Sequence, residues 1–403
     1  MAVLGQIVGA LGAGKLADAI GRKKSTVLLV VSYAVFALLD AISVSLPMLL
    51  TARLLIGVTI GVSVVVVPVY IAESAPAAVR GSLVATYQFA TISGLIIGYL
   101  TGYLLAGTHS WRWMFGLAAV PALLLVPLMI RLPDTARWYL LKGRAAEARG
   151  ALRRVEPEDR VDEELAEITR TLSEGKGRLS EMLRRPYLRA TGFVIALGIL
   201  AQITGINAII YYSPRLFDAM GFKGNFALLA LPALVQVAGL AAVGTSLALV
   251  DRVGRRPILL SGIAMMVAAD AVLIAVFTAG FGGGGLVFGF AGVLLFIIGF
   301  SAGFGALVWV YAGEAFPTRL RSTGSSVMLT FNLAANATIA GFFLTMLHLF
   351  GGAGVFAVFG GLAVLAFVVV YRFAPETKGR QLEEIRHFWE NDGRWPKELT
   401  EAP

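Results

Sequence analysis

Long apolar segments alternate with short polar ones along most of the chain. They fall at residues 2–19, 26–46, 48–71, 82–106, 113–131, 188–213, 226–250, 257–279, 285–312, 323–350 and 353–372. Each has about the length that an α-helix needs to cross the hydrocarbon core of a bilayer, which is about 20 residues. The pattern therefore predicts eleven spanning helices and an all-α polytopic membrane protein.

One of these segments carries unusual polar positions. Residues 202–214 read QITGINAIIYYSP, with the amides Gln202 and Asn207 on either side of Gly205. Amides at membrane depth are costly unless they are bonded or face a water-filled cavity. On a continuous helix these two would point about 140° apart. Either they bond to neighbouring helices, or the helix unwinds near Gly205 and both amides face one uncharged polar ligand.

Composition supports a membrane protein and excludes several other classes. Of the 403 residues, 57% are hydrophobic and 15% charged, and no cysteine is present. The net charge of +9 is concentrated in alternate loops, which is the signal that orients membrane proteins and does not indicate nucleic-acid binding. The chain contains no HExxH, GxSxG or P-loop string. We therefore expect no enzyme, no cofactor and no metal site.

The loops divide the chain into four parts. Residues 1–131 and 188–372 form two transmembrane bundles, separated by a charged insert at 132–187. The alternating charges of the insert predict short amphipathic helices on the membrane surface. Residues 373–403 form a polar tail that we expect to be partly disordered. The positive-inside rule places the insert and the C-terminus in the cytoplasm of a cell-membrane protein.

The two bundles share an internal repeat. GKLADAIGRKK at 14–24 is echoed by DRVGRRP at 251–257, and LPDTARW at 132–138 by APETKGR at 374–380. The Glu-to-Arg spacing of IAESAPAAVRGS, residues 71–82, recurs in YAGEAFPTRLRST, residues 311–323. The chain is therefore two related halves, an architecture that many secondary transporters use.

The repeat also predicts a missing helix. The counterpart of the segment at 188–213 would lie before Met1, so the first half lacks it. Arg53 lies within a span, and no acidic partner for it is evident in the sequence, although an intramembrane arginine normally has one. We expect a further helix upstream of Met1. The alternative is a natural eleven-helix protein.

Nine motifs in order resemble the sugar porter branch of the major facilitator superfamily, from Met1 to about Glu384. They are GKLADAIGRKK (14–24), the spaced Arg53, Gly57 and Gly61, PVYIAESAPAAVRG (68–81), WRWM (111–114), LPDTARWYL (132–140), QITGINAIIYYSP (202–214), DRVGRRP (251–257), WVYAGEAFPTRLRSTG (309–324) and PETKGR (375–380). The resemblance implies a major facilitator fold of two pseudo-symmetric helical bundles, with about eleven of twelve helices present. It also implies transport by alternation between inward-open and outward-open states.

By that resemblance, a sugar site would be built mainly from neutral side chains. They are Gln88, Gln202, Asn207, Phe300, Trp309, Asn332 and Asn336. Amides suit sugar hydroxyls because they both donate and accept hydrogen bonds, and aromatic rings can stack on the apolar sugar face. Tyr211 and Tyr212 would form an external gate.

The same resemblance implies salt-bridge clusters on the cytoplasmic side that form in one conformational state. Their members would be Asp18, Arg22, Glu73, Arg80, Asp134, Arg137, Asp251, Arg255, Arg256, Glu314 and Arg321. Arg53 would take part in proton coupling, which in proton-linked members pairs it with an aspartate on the first helix. Asp40 and Asp270 also lie within spans, where we expect local polar contacts for them.

Some positions depart from the family pattern, notably Ala201 in place of a glutamine and Gly239 where an amide is common. The sequence nevertheless predicts a secondary transporter of a monosaccharide or polyol, a proton symporter in its complete form, that binds its sugar, protons and membrane lipid as a monomer. Alternatives are a facilitative uniporter, a sugar sensor, a facilitator of another substrate, or an inactive truncated form. Which sugar is carried, which ion is coupled and in which direction are not determined by these residues.

Overall fold

A computed structural model of the chain describes residues 1–76, 80–108, 110–173, 179–185, 187–279, 285–316, 318–380, 382–391 and 394–395. The described residues are helical, with no strand among them. They divide into two compact units, the first comprising Met1–Gly94 and Thr101–Gly175, the second Leu95–Leu100 and Lys176–Pro403. An all-helical architecture is what the sequence predicts.

The helices of the first unit run as follows: α1 Ala2–Ile20, α2 Arg22–Ala41, α3 Leu46–Ser74, α4 Arg80–Leu105, α5 Trp111–Leu117, α6 Ala119–Arg131, α7 Ala136–Leu141, α8 Ala145–Leu152 and α9 Glu158–Ser173. A 3₁₀ turn, Ala106–Thr108, follows α4, six residues of which (Leu95–Leu100) belong to the second unit. In this unit α1 packs directly on α3. A Cβ on Gly57 or Gly61 would lie 2.0 Å from a backbone carbonyl oxygen of α1. Glycine is therefore required where these two helices approach so closely.

The second unit contains α10 Leu179–Met182, α11 Leu188–Ile203, α12 Ile206–Tyr211, α13 Ser213–Ala219, α14 Leu231–Val253, α15 Arg255–Ala279, α16 Gly285–Phe300, α17 Ala306–Glu314, α18 Thr318–Phe373 and α19 Leu382–Glu390. A π-helical turn, Phe226–Ala230, precedes α14, and a second one, Ser301–Gly305, joins α16 to α17. The core of the second unit is rich in aromatic side chains, and Phe343, Phe356 and Phe359 are fully buried.

Ten helical segments in the described residues are long and apolar enough to cross a membrane. The last one, Thr323–Phe373, has 51 residues and contains two of the predicted spans, 323–350 and 353–372. Between them the backbone leaves the helical conformation at Gly351, with φ 65° and ψ 178°. Because two spans must reverse direction between them, a glycine that accepts this conformation separates them.

The charged insert folds as short helices, which agrees with its pattern. α7, α8 and α9 share a small apolar cluster of Ala136, Ala148, Leu152 and Val161. On its surface the Arg144 guanidinium hydrogen-bonds the Glu147 carboxylate and lowers the pKa of that carboxyl.

Residues 382–390 of the polar tail form helix α19, which the sequence analysis did not predict. Phe388 and Trp389 of α19 are buried. The Trp389 ring centroid lies 5.3 Å from that of Phe193 at the start of α11. The polar composition hid an amphipathic helix whose apolar face packs on the second unit. Residues 396–403 lie outside the described residues.

Candidate functional site

The helix that the sequence marks as unusual is broken. α11 ends at Ile203 and α12 begins at Ile206, and Gly205 between them has φ 97° and ψ 7°. A Cβ at Gly205 would lie 2.5 Å from the Phe359 ring, so both the left-handed backbone and the close packing require glycine. The break falls where the sequence requires it if both amides are to face one ligand.

The break brings the two amides together. The Asn207 side-chain nitrogen donates to Gln202 Oε1 at 2.5 Å. Gln202 Nε2 in turn donates to Asn332 Oδ1 at 3.1 Å, and Asn332 Nδ2 donates to the Gly198 carbonyl oxygen at 3.0 Å. Three of the predicted site residues therefore form one chain of amide–amide hydrogen bonds between α11, α12 and α18.

Asn336 continues this polar region one turn further along α18. It is 4% exposed, its Nδ2 lies 3.5 Å from the Tyr211 hydroxyl, and its Oδ1 has no partner among the described residues. A buried carbonyl oxygen without a donor costs free energy. A ligand hydroxyl is the kind of group that would satisfy it.

The two predicted gate tyrosines differ in their surroundings. Tyr212 donates its hydroxyl hydrogen to the Ala340 carbonyl oxygen at 2.9 Å, and its ring stacks on Phe343 with centroids 5.0 Å apart. Tyr211 is 44% exposed. Tyr212 is thus anchored in the core, and Tyr211 is the freer ring of the pair.

The remaining predicted site residues lie on three other helices. Phe300 ends α16 with its ring 6.0 Å from Phe304, and Trp309 on α17 is 45% exposed. Gln88 is half-buried on α4 of the first unit. Trp309 therefore has ring surface that the core does not cover.

A first charge cluster surrounds Arg22 at the start of α2. Its guanidinium contacts Asp18 at 3.0 Å and Glu73 at 3.0 Å, and its backbone N–H donates to Asp134 Oδ1 at 3.0 Å. Arg137 lies 3.9 Å from Glu73. All five residues were predicted from the sequence as network members, and the structure brings them together.

A second charge cluster surrounds Arg255 at the start of α15. Its guanidinium lies 3.0 Å from Asp251 and 3.7 Å from Glu314. The backbone N–H groups of Arg255 and Arg256 donate to the two carboxylate oxygens of Glu376, each at 3.1 Å. The predicted network omitted Glu376, although the alignment of APETKGR with LPDTARW places it opposite Asp134 and could have identified it.

The contacts of two predicted network members are not described. The side chains of Arg80 and Arg321 lie outside the described residues.

Arg53 has an acidic partner that was not evident in the sequence. Arg53 Nε lies 3.1 Å from Asp40 Oδ2, and its guanidinium carbon lies 3.9 Å from the centre of the Phe115 ring. Asp40 is 1% exposed and was expected to make a local polar contact, which turns out to be this one. The sequence could not show it, because Asp40 and Arg53 lie on different helices and meet only through the packing of α2 on α3. The helix predicted upstream of Met1 stays a prediction, now without the argument from an unpaired Arg53.

Comparison with known proteins shows that the chain is similar to transporters. Residues 1–389 match the family model described as "Sugar (and other) transporter". The chain is 32% identical over 386 residues to the galactose-proton symporter of Escherichia coli K12, covering 95% of this chain and 83% of that protein. It is 31% identical over 409 residues to polyol transporter 5 of Arabidopsis thaliana, covering 94% of this chain and 76% of that protein.

Solved structures with the same fold include a proton:xylose symporter. The chain is similar to XylE bound to 6-bromo-6-deoxy-D-glucose, with a TM-score of 0.80 and 27% identity over 96% of this chain and 88% of that one. The inward-open form of XylE from E. coli gives a TM-score of 0.82 at 26% identity, covering 96% and 88% of the two chains.

Proposed function

Because this chain belongs to the Sugar (and other) transporter family, whose members are multi-pass membrane transporters and not enzymes, we propose that it moves a monosaccharide or polyol across the membrane by alternating access, together with a proton. Its relatives include proteins named as proton symporters of galactose and xylose and as polyol transporters.

The observation that carries this proposal is the amide chain at the broken helix. Gln202, Asn207 and Asn332 present donors and acceptors without any charge. A neutral, multiply hydroxylated ligand matches such groups because each hydroxyl can both donate and accept. A charged substrate would favour a counter-charge instead.

The other site residues support the same ligand class. In the proposal, Asn336 adds an amide contact, Trp309 and Phe300 stack on the apolar sugar face, and Tyr211 and Tyr212 close the site from outside. The exposure of Trp309 and of Tyr211 leaves both rings available for contact. We also propose that the protein works as a monomer embedded in lipid. We propose that its C-terminus lies in the cytoplasm, because the positive-inside rule assigns the basic loops and the charged insert to that side.

For proton coupling we propose Arg53 together with Asp40. A carboxylate within a span is costly, and Asp40 has one counter-charge, while its Oδ1 is buried without a partner among the described residues. A proton on that oxygen would release Arg53, which retains the face of Phe115 as a second partner. The pair thus has two arrangements that differ by one proton.

The first test is uptake into vesicles by the purified chain. A panel of pentoses, hexoses and polyols is offered with and without an inward proton gradient. We expect uptake of at least one compound and accumulation only with the gradient. Absence of uptake for every compound of the panel would contradict the proposed function. Uptake that is the same with and without the gradient would contradict proton coupling and indicate a uniporter.

Asp40→Asn tests the coupling pair. We expect loss of gradient-driven accumulation, because the amide cannot take up and release a proton, while sugar exchange across the membrane is retained. Asp270→Asn is the matched control: Asp270 is also a fully buried aspartate in a span, but neither of its carboxylate oxygens has a partner among the described residues. Gradient-driven accumulation by Asp40→Asn at the unchanged level would show that Asp40 is not the proton site.

A further inference from the structure

A groove with a volume of about 370 Å³ lies between α2 and α6 and includes no residue of the proposed sugar site. It is located where both helices carry basic residues, at the start of α2 and at the end of α6. The positive-inside rule assigns this end to the cytoplasm. The groove combines two lysines with an apolar wall, and its lining residues are Lys23, Lys24, Val27, Leu28, Val31 and Ile130.

The protein does not cover the apolar wall of this groove. Leu28 is 47% exposed and Ile130 is 53% exposed. Further along the same two helices, a buried cluster of Ala34, Ala37, Ala119 and Ala122 joins α2 to α6, because small side chains let helices pack closely. At the groove the side chains are larger and remain accessible. Apolar surface that is accessible on a spanning helix is in contact with lipid.

The two lysines of the groove have no acidic partner within the described ranges. The nearby carboxylates of Asp18 and Glu73 contact Arg22 instead. No ion pair joins Lys23 or Lys24 to any carboxylate in the part of the chain that the structure describes. Two adjacent positive charges repel each other, and an anion placed between them removes that repulsion. The groove is therefore suited to a negatively charged group.

The internal repeat shows how the second half fills the equivalent place. The alignment of GRKK with GRRP places Lys23 opposite Arg256, and that of LPDTARW with APETKGR places Met129 opposite Tyr371. A terminal nitrogen of Arg256 donates to the Tyr371 carbonyl oxygen at 2.6 Å, and its guanidinium carbon lies 5.2 Å from the centre of the Tyr371 ring. A lysine and a methionine cannot reproduce this contact, since one lacks the planar guanidinium and the other lacks a ring. In the first half the cation is therefore left without this protein partner.

We propose that the groove between α2 and α6 binds one anionic phospholipid of the adjacent leaflet. The lipid phosphate lies between the amines of Lys23 and Lys24, because lysine binds phosphate as a point charge. One acyl chain lies along Val27, Leu28 and Val31. Basic pockets between spanning helices on the cytoplasmic side are known to hold anionic headgroups. A soluble anion would gain nothing from the apolar wall, so the wall favours a lipid.

The test measures lipid binding to the purified chain in detergent, without any sugar, so it does not depend on the proposed function. Phosphatidylglycerol and phosphatidylcholine with the same acyl chains are titrated, and native mass spectrometry counts the lipids that stay bound. In the unchanged protein we expect one phosphatidylglycerol to bind about tenfold more tightly than phosphatidylcholine, from the charges of two lysines. The double variant Lys23→Gln, Lys24→Gln should lose this preference.

The matched control is the double variant Lys15→Gln, Lys142→Gln, which removes the same charge from two exposed lysines of the first unit outside the groove. It should keep the preference. An equal loss in the control would show a general attraction to basic surface and overturn the proposal. Equal binding of the two lipids by the unchanged protein would overturn it as well.

A second variant keeps every charge. Val31→Trp fills the groove and should weaken phosphatidylglycerol binding about tenfold, whereas Val35→Trp, at an exposed position one turn further along α2 and outside the groove, should not. Unchanged binding in Val31→Trp would show that the acyl chain does not occupy the groove. Glycerol phosphate at the same concentration should not displace the lipid. Displacement would show that the anion alone is recognised and would overturn the assignment to a lipid.

Discussion

The two charge clusters contain the same types of residue in the same arrangement. The buried polar groups of the second cluster, however, have fewer hydrogen bonds and ion pairs than those of the first. In each, an arginine follows a glycine with positive φ, Gly21 at 98° and Gly254 at 110°. Each arginine pairs with an aspartate one turn earlier, Arg22 with Asp18 and Arg255 with Asp251. A carboxylate from the end of the last span then accepts a hydrogen bond from the arginine backbone N–H.

The difference lies in the glutamate at the centre. Arg22 contacts Glu73 through Nε at 3.0 Å and through a terminal nitrogen at 3.3 Å, and the Thr135 hydroxyl donates to Glu73 at 2.7 Å. In the second cluster Arg255 is 3.7 Å from Glu314. Glu314 Oε2 and the Thr377 hydroxyl oxygen are buried near each other, but neither has a well-aligned hydrogen bond among the described residues.

A repeat of residue types therefore does not guarantee a repeat of contacts. Unpaired buried polar atoms raise the free energy of the conformation that contains them. We therefore expect the second cluster to open at a lower cost than the first, and the two to contribute unequally to the balance between transport conformations.

The largest difference is expected between Arg22→Ala and Arg255→Ala. Arg22 is 5% exposed, and its removal leaves the mostly buried Glu73 with only the more distant Arg137 as counter-charge, at a cost of about 3 kcal/mol. Arg255→Ala should cost clearly less, because Asp251 is exposed and Glu314 is already distant. Thermal unfolding midpoints of the purified variants measure this, with Arg153→Ala on the surface of the insert as control. Equal decreases in the unfolding midpoint for the two variants would contradict the predicted difference between the clusters.

A second, smaller difference is expected for the two glycines. Alanine at either position is strained by the positive φ, at a cost of about 1–3 kcal/mol. The new Cβ would lie 2.1 Å from Asp134 Oδ2 in Gly21→Ala, but 2.6 Å from Glu376 Oε2 in Gly254→Ala, where the longer side chain can adjust. The midpoint should therefore fall further for Gly21→Ala. Gly14→Ala is the control, since no atom lies within 4 Å of its added Cβ. A larger loss in Gly254→Ala would contradict the comparison.

The smallest effects are expected from the two threonines. Thr135→Ala removes the hydrogen bond to Glu73 and the one accepted from the Trp138 N–H, which should cost about 1–2 kcal/mol. Thr377→Ala removes a hydroxyl that lies near Glu314 without a well-aligned hydrogen bond among the described residues, so the loss of stability should be smaller than for Thr135→Ala. Chemical or thermal unfolding measures the stability of the two variants. A marked loss in Thr377→Ala would mean that the second cluster is closed in solution.

Much of the fold could be predicted because it depends on local properties. Spans follow from segment length and hydropathy, and the two-part architecture follows from the repeated strings at 14–24 and 251–257. The break near Gly205 was one of two alternatives that the 3.6-residue helical period left open for the two amides. Helix α19 within the tail was not predicted, because overall polarity conceals its one-sided apolar face.

The sequence by itself determined that the chain crosses a membrane many times, that its halves are related, and which amides and charges are candidates for function. Only the tertiary structure decided that Gln202 meets Asn332 and Arg53 meets Asp40, and only it added Glu376 as the partner of the Arg255 backbone N–H. The reason is physical. Hydropathy and helical period belong to single segments, whereas a contact between two helices depends on the faces that they turn to each other and on how closely they pack.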